Sequence, residues 1–148
     1  MKRKLPPSII SLLALSLTLL TIPAFAHHGF QYEFDGTKVI NTTGVLTTVD
    51  WENPHIYFNV DVRDAQGKVG TWRFEGSSVS LVQRTGTKRA DLVGNIGKTI
   101  TVTACPGKAG ALKGAAWTVT LADGREVSVG RNRYYGDGPK PQDDKDEN

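Results

Sequence analysis

Gly76-Ser77-Ser78-Val79-Ser80-Leu81-Val82-Gln83-Arg84-Thr85-Gly86 decides the fold, because it breaks the two-residue period of the chain on either side. Ser77 or Ser78 can accept the first orphan N–H groups of a helix, Val79, Leu81 and Val82 give that helix an apolar side, and Gly86 offers a stop. The segment predicts one short helix set between strands.

N-terminal to it, Val69 to Glu75 reads as a strand with Trp72 and Phe74 inward, reached through a turn at Asp64-Ala65-Gln66-Gly67. Before that turn, Ile56 to Asp64 alternates cleanly: Ile56, Phe58, Val60 and Val62 face one way, Tyr57, Asn59, Asp61 and Arg63 the other. The first strand runs from about Val39 to Trp51, with Val45, Val49 and Trp51 on one face and Gly44 as a bulge or bend. C-terminal to the helix, Thr87 to Val93 adds a further turn. Strands follow at Lys98 to Cys105 (Ile100, Val102 and Ala104 inward), Ala115 to Leu121 and, after Asp123-Gly124, Glu126 to Val129. Three strands, a helix and two strands with a short edge predict an all-β domain of small α content. The layout is an OB-like barrel of five to six strands over residues 39–130, with one short helix between strands 3 and 4. Ligands of such barrels meet the face of strands 2 and 3 and the loops joining strands 1 to 2 and 4 to 5, here Glu52 to His55 and Pro106 to Gly114.

The ends read differently. Lys2, Arg3 and Lys4 precede an apolar run from Ser8 to Ile22 and an Ala24-Phe25-Ala26 cleavage signal, so residues 1–26 read as a secretory leader cut after Ala26, the alternative being a retained anchor. Export to the periplasm follows. Residues 27–38 form an arm in which Phe30, Tyr32 and Phe34 alternate with polar residues, predicting an extended stretch against the sheet before a turn at Asp35-Gly36. Residues 131–148 read as a disordered acidic tail, with Arg131 to Tyr135 as the strand exit.

Removing the leader takes three of 18 basic residues and none of 15 acidic ones, so the 122 residues that remain are neutral. Nothing in that balance attracts nucleic acid. Cys105 is the only cysteine, which excludes an internal disulfide and fits a bland, partly buried thiol.

Chemistry concentrates in Trp51-Glu52-Asn53-Pro54-His55. Proline drives the residue before it towards extended backbone, so Asn53-Pro54 turns the chain and starts a strand at His55, whose parity points its ring away from the core. Two classes of function follow. In the first, the domain is a binding module without a catalytic role, taking an envelope small molecule, glycan or protein through Glu52, Asn53, Tyr57, Trp72 and Glu75, with Asn59 and Arg73 beside them. In the second, the ligand is a transition metal, copper first: a mature N-terminus at His27 offers an amine and an imidazole, His28 a second mode, and His55 a further nitrogen. Glu33, Asp35, Glu52 or Glu75 then serves as oxygen ligand or orients an imidazole. An enzyme is not expected, since the sequence has no Gly-x-Ser-x-Gly elbow, CxxC pair, phosphate loop or HExxH motif.

Ala26-His27-His28-Gly29-Phe30 with Glu33-Phe34-Asp35, the run from Gly44 to Trp51-Glu52-Asn53-Pro54-His55, Trp72-Arg73-Phe74-Glu75, Gln83 to Thr87 and Leu121 to Arg125 resemble a family of small exported bacterial proteins of unknown function. The resemblance covers nearly all of the chain beyond the leader and is specific at Trp-x-Asn-Pro-His. It departs at Gly97-Lys98, where the family tends to Gly-Asp, and at Thr87, where it tends to an aromatic. It implies compartment and architecture and no activity.

Overall fold

A computed structural model describes residues 29–136. The leader, His27, His28 and residues 137–148 lie outside the described residues.

The described chain holds helix α1 (Phe30–Glu33), strands β1 (Ile40–Asp50), β2 (Tyr57–Arg63) and β3 (Val69–Glu75), helices α2 (Val79–Arg84) and α3 (Arg89–Val93), and strands β4 (Thr99–Pro106), β5 (Lys113–Thr120) and β6 (Glu126–Ser128). The sheet order is β3-β2-β1-β4-β5-β6, and β3 also pairs with β5, in parallel, which closes the first five strands into a barrel. All other pairings are antiparallel. This is the OB-like arrangement, with β6 as an added strand and two short helices where the sequence predicts one.

The interior is built by the inward parities of the strands. Ile56, Phe58 and Val60 on the second strand run, Phe74 on β3, Ile100, Val102 and Ala104 on β4, and Val119 on β5 are buried together. Val82 of α2 and Leu92 of α3 join the same core. Each large apolar side chain removed from water in this way contributes about 1.5–3 kcal/mol.

β1 departs from its predicted parity. Leu46 pairs with Val60 and Thr48 with Asn59, so Thr47 is a bulge residue, and the inward set switches from Leu46 before it to Val49 and Trp51 after it. Val45, predicted to share the face of Val49, is consequently exposed. Gly44 is not the bulge. It sits where β1 crosses closest to β2, since a Cβ there would lie 2.4 Å from the Asp61 carbonyl oxygen.

The arm is not extended as predicted. Phe30 to Glu33 form one helical turn, with the Phe34 N–H donating to the Phe30 carbonyl at 2.8 Å, because aromatic stacking of Phe30 on Phe34 at 5.6 Å favours i,i+4 spacing over alternation. Phe34 then bridges to Gly107 and the Asp35 N–H donates to the Pro106 carbonyl at 2.9 Å, tying the arm to the end of β4. The turn at Asp35-Gly36 is present. The chain leaving β6 crosses this arm: the Tyr135 N–H donates to the Gly36 carbonyl at 3.0 Å, and the Arg133 guanidinium lies 5.4 Å from the centre of the Phe30 ring.

Candidate functional site

The site grows from the way β2 and β3 start and end. Ile56 exchanges hydrogen bonds with Ser77 and Gly76, which extends the β2–β3 pairing by one step beyond Tyr57 opposite Glu75. His55 therefore stands diagonally across from Glu75 on the outer face of the barrel, within reach of its carboxylate. Its Nδ1 makes a short hydrogen bond to Oε1 of Glu75, with both side chains about three-quarters buried. An ionised carboxylate only accepts, so Nδ1 carries the hydrogen, and in the neutral ring the lone pair resides on Nε2. A carboxylate holding the far nitrogen of an imidazole is the arrangement that orients metal-binding histidines and makes them more basic.

Tyr57 extends the group. Its ring lies 6.5 Å from that of His55, and the Arg73 guanidinium sits 4.4 Å from its ring centre. Burial first, and the Glu75 charge next, push the phenol above its ordinary value, while Arg73 opposes them and Glu33 adds to them. Glu33 belongs to the arm. Its carboxylate is held by Lys113 Nζ at 2.6 Å, and Lys113 neighbours Arg73 in the parallel β3–β5 pairing. Glu33 thus lies close enough to Tyr57 to act on it electrostatically.

The remaining site residues named from sequence fall elsewhere. Asn53 follows Trp51 in the β1–β2 loop and forms a cis peptide with Pro54, and its Oδ1 accepts the Val79 N–H at 3.2 Å. The first turn of α2 is thus capped across the fold by Asn53, whereas Ser78, at the N-cap position, makes no side-chain cap bond. Trp72 lies on the inner face of β3, stacked on Phe74 at 5.9 Å and packed against the core, so it does not share the surface of Tyr57 and Glu75. Glu52 is exposed in its loop. Asn59 and Arg73 do share the outer face, as register partners. Asp35 is engaged locally: hydrogen bonds from Thr37, then from Lys38, hold its carboxyl down at about 2. His27 and His28 lie outside the described residues.

Two residues carry more than sequence reasoning gave them. Lys113 and Glu33 pin the arm to the barrel, a pairing across 80 positions that no local pattern signals. Among the described residues, no group of three or more His, Cys, Asp or Glu converges to hold a metal, and no helix is long and apolar enough to cross a membrane.

The barrel closed through β3 and β5, with a polar group on its outer face where β2 begins, defines a small OB-like protein. Its sequence matches the model of the family of unknown function DUF6152 over residues 15–116, and the chain belongs to that family. No curated protein and no solved structure gives a significant match.

Proposed function

We propose that the chain is an exported, periplasmic binding protein, not a catalyst, and that its ligand is a transition-metal ion, copper(II) first. In this reading the leader is removed after Ala26, His27 supplies its amine and imidazole, His55 supplies Nε2, and His28 offers the alternative N-terminal mode. The observation that carries the proposal is the Glu75 carboxylate on Nδ1 of His55, a contact of the kind that orients metal-binding imidazoles. The docking of the arm supports it. From Gly29 only two residues lead back to His27, a chain reach of about 7 Å, and Glu33 of the same arm is held by Lys113, whose neighbour across the β3–β5 pairing is Arg73. Imidazole and amine nitrogens suit copper(II), which also heads the affinity order of the divalent ions.

The broader ligand-face reading draws less support from Asn53, which caps a helix, and from Trp72, which is partly buried against the core on the inner face of β3. The outer face of β2 and β3 that remains is polar.

Thermal melting tests the proposal on protein recovered from the periplasm with its N-terminus verified as His27. Copper(II) at about 1,000 times its Kd should stabilise the wild type by roughly 4 kcal/mol. His27→Ala and His55→Ala should each lose most of that gain. A wild type whose melting temperature ignores copper sinks the proposal.

A further inference from the structure

Without the leader the chain is neutral overall, but its charges are unevenly spread. Between Gly76 and Ala122 the sequence holds one acid, Asp91, against Arg84, Lys88, Arg89, Lys98, Lys108 and Lys113. Two of these cations are committed to the arm: Lys108 Nζ donates to the Gln31 carbonyl, and Lys113 Nζ holds Glu33. The other four lie at the end of α2, at the start of α3 and in the turn before β4. All four are exposed, and among the described residues none is paired with a carboxylate. Asp91 is turned to other partners, its Oδ2 accepting the Lys88 N–H at 2.8 Å and its Oδ1 accepting from Arg125, which also holds Asp123 at 2.9 Å. Glu126 is exposed on β6. We propose that this cap, from Arg84 to Lys98, docks on the phosphate headgroups of an anionic lipid membrane; the inference is independent of the copper reading.

The cap is held from below at both ends. Buried Thr87 donates its hydroxyl to the Ser128 carbonyl at 2.7 Å, and the Thr85 hydroxyl donates to the Val82 carbonyl at 2.7 Å, so the Thr85-Gly86-Thr87 turn is fixed to β6 with Arg84 and Lys88 on either side of it. At the other end Asn95 is buried, its Nδ2 donating to the Asp91 carbonyl at 2.8 Å and its Oδ1 accepting the Ala122 N–H at 3.2 Å. The Gly97 N–H and the Lys98 carbonyl pair with Leu46 of β1 at 2.8 and 3.0 Å. Leu92 of α3 is in the core, which leaves Arg89 and Val93, four positions apart, and Ile96, one turn further on, facing out. Ile96 is 44% exposed. A soluble anion gains nothing from an isoleucine among the cations, whereas a headgroup layer takes the aliphatic side chain at its acyl boundary and sets phosphates around it. The four cations flank α3 at both ends instead of converging on one point, which suits a sheet of charge better than a single ion.

Co-sedimentation with lipid vesicles tests the proposal, on protein that begins at His27 so that the basic, apolar leader contributes nothing. The protein should bind vesicles containing about one-third phosphatidylglycerol and not phosphatidylcholine alone, and it should leave the anionic vesicles at about 1 M salt, where the screening length is about 3 Å. Arg84→Gln, Lys88→Gln and Arg89→Gln should each weaken binding roughly fivefold, and all three together on the order of a hundredfold. Ile96→Ser should weaken it with the salt dependence unchanged. Lys68→Gln, in the exposed β2–β3 turn at the opposite end of β3, should have no effect. Unchanged melting temperatures of the variants separate lost docking from lost folding. Failure to bind anionic vesicles, equal binding to both vesicle types, or full binding by the triple variant each overturns the inference. Release by inorganic phosphate at constant ionic strength overturns it as well, because it marks a site for the soluble anion.

Discussion

His55, at the head of the second strand run, donates from Nδ1 to the carboxylate of Glu75, the last residue of β3. The pairing of Tyr57 with Glu75 makes this contact a consequence of strand register, so it is present before any ligand arrives.

Glu75→Gln keeps the shape of the side chain and removes its charge. If Glu75 orients and polarises His55, copper(II) affinity should fall about 10- to 100-fold in this variant. Its metal-free melting temperature should change little, because the glutamine amide oxygen can still accept the His55 Nδ1–H. Competition titration reads the first quantity and calorimetry the second.

Asn53→Ala should lower stability by about 1 kcal/mol through loss of the cap on α2, with copper affinity unaltered. Asn53→Asp, which can still accept the Val79 N–H, should recover most of the loss. Denaturant unfolding of the three proteins separates this capping role from a ligand-binding one.

Gly44 and Gly36 both stand at close approaches, but the neighbours differ. A Cβ at Gly44 meets the Asp61 carbonyl oxygen at 2.4 Å, and two paired strands have to part, so Gly44→Ala should cost about 1–3 kcal/mol. At Gly36 the nearest atoms belong to the Tyr135 ring, a side chain on the segment that leaves β6. Gly36→Ala should therefore leave global stability nearly unchanged while amides near Tyr135 exchange faster with solvent, as hydrogen exchange would show.

Cys105 should resist alkylation at neutral pH in the native protein and react quickly once unfolded. Burial raises its folded pKa from 9.0 to about 11, so the folded state keeps a proton that the unfolded chain releases. The resulting contribution to stability is fully present below pH 9 and is lost as pH rises through about 11. Unfolding free energy measured across that range should decline more steeply for wild type than for Cys105→Ala.

Much of the barrel was legible because its signals are local. The alternation of Ile56, Phe58 and Val60 and the break of period after Gly76 give β2, β3 and the helix that follows, and the inward set on β4 follows from Ile100, Val102 and Ala104. What escaped depends on contacts made across the fold. The bulge at Thr47 reverses inside and outside midway along β1, and a two-residue period read straight through it misplaces Val45. The arm alternates in sequence yet folds as a helical turn, because stacking of Phe30 on Phe34 and the docking of Phe34 against Gly107 outweigh the strand pattern. The outward parity of His55 could be read, but its partner could not, since only the β2–β3 register selects Glu75 over Glu33, Asp35 and Glu52.

The most direct measurement is mass spectrometry of the N-terminus of the protein isolated from the periplasm, combined with metal analysis of the same sample after copper(II) loading and desalting. The account predicts a chain beginning at His27 that retains equimolar copper, and a His55→Ala variant with the same N-terminus that retains little. A chain beginning at His27 that retains no copper, or a His55→Ala variant that retains as much as wild type, contradicts it.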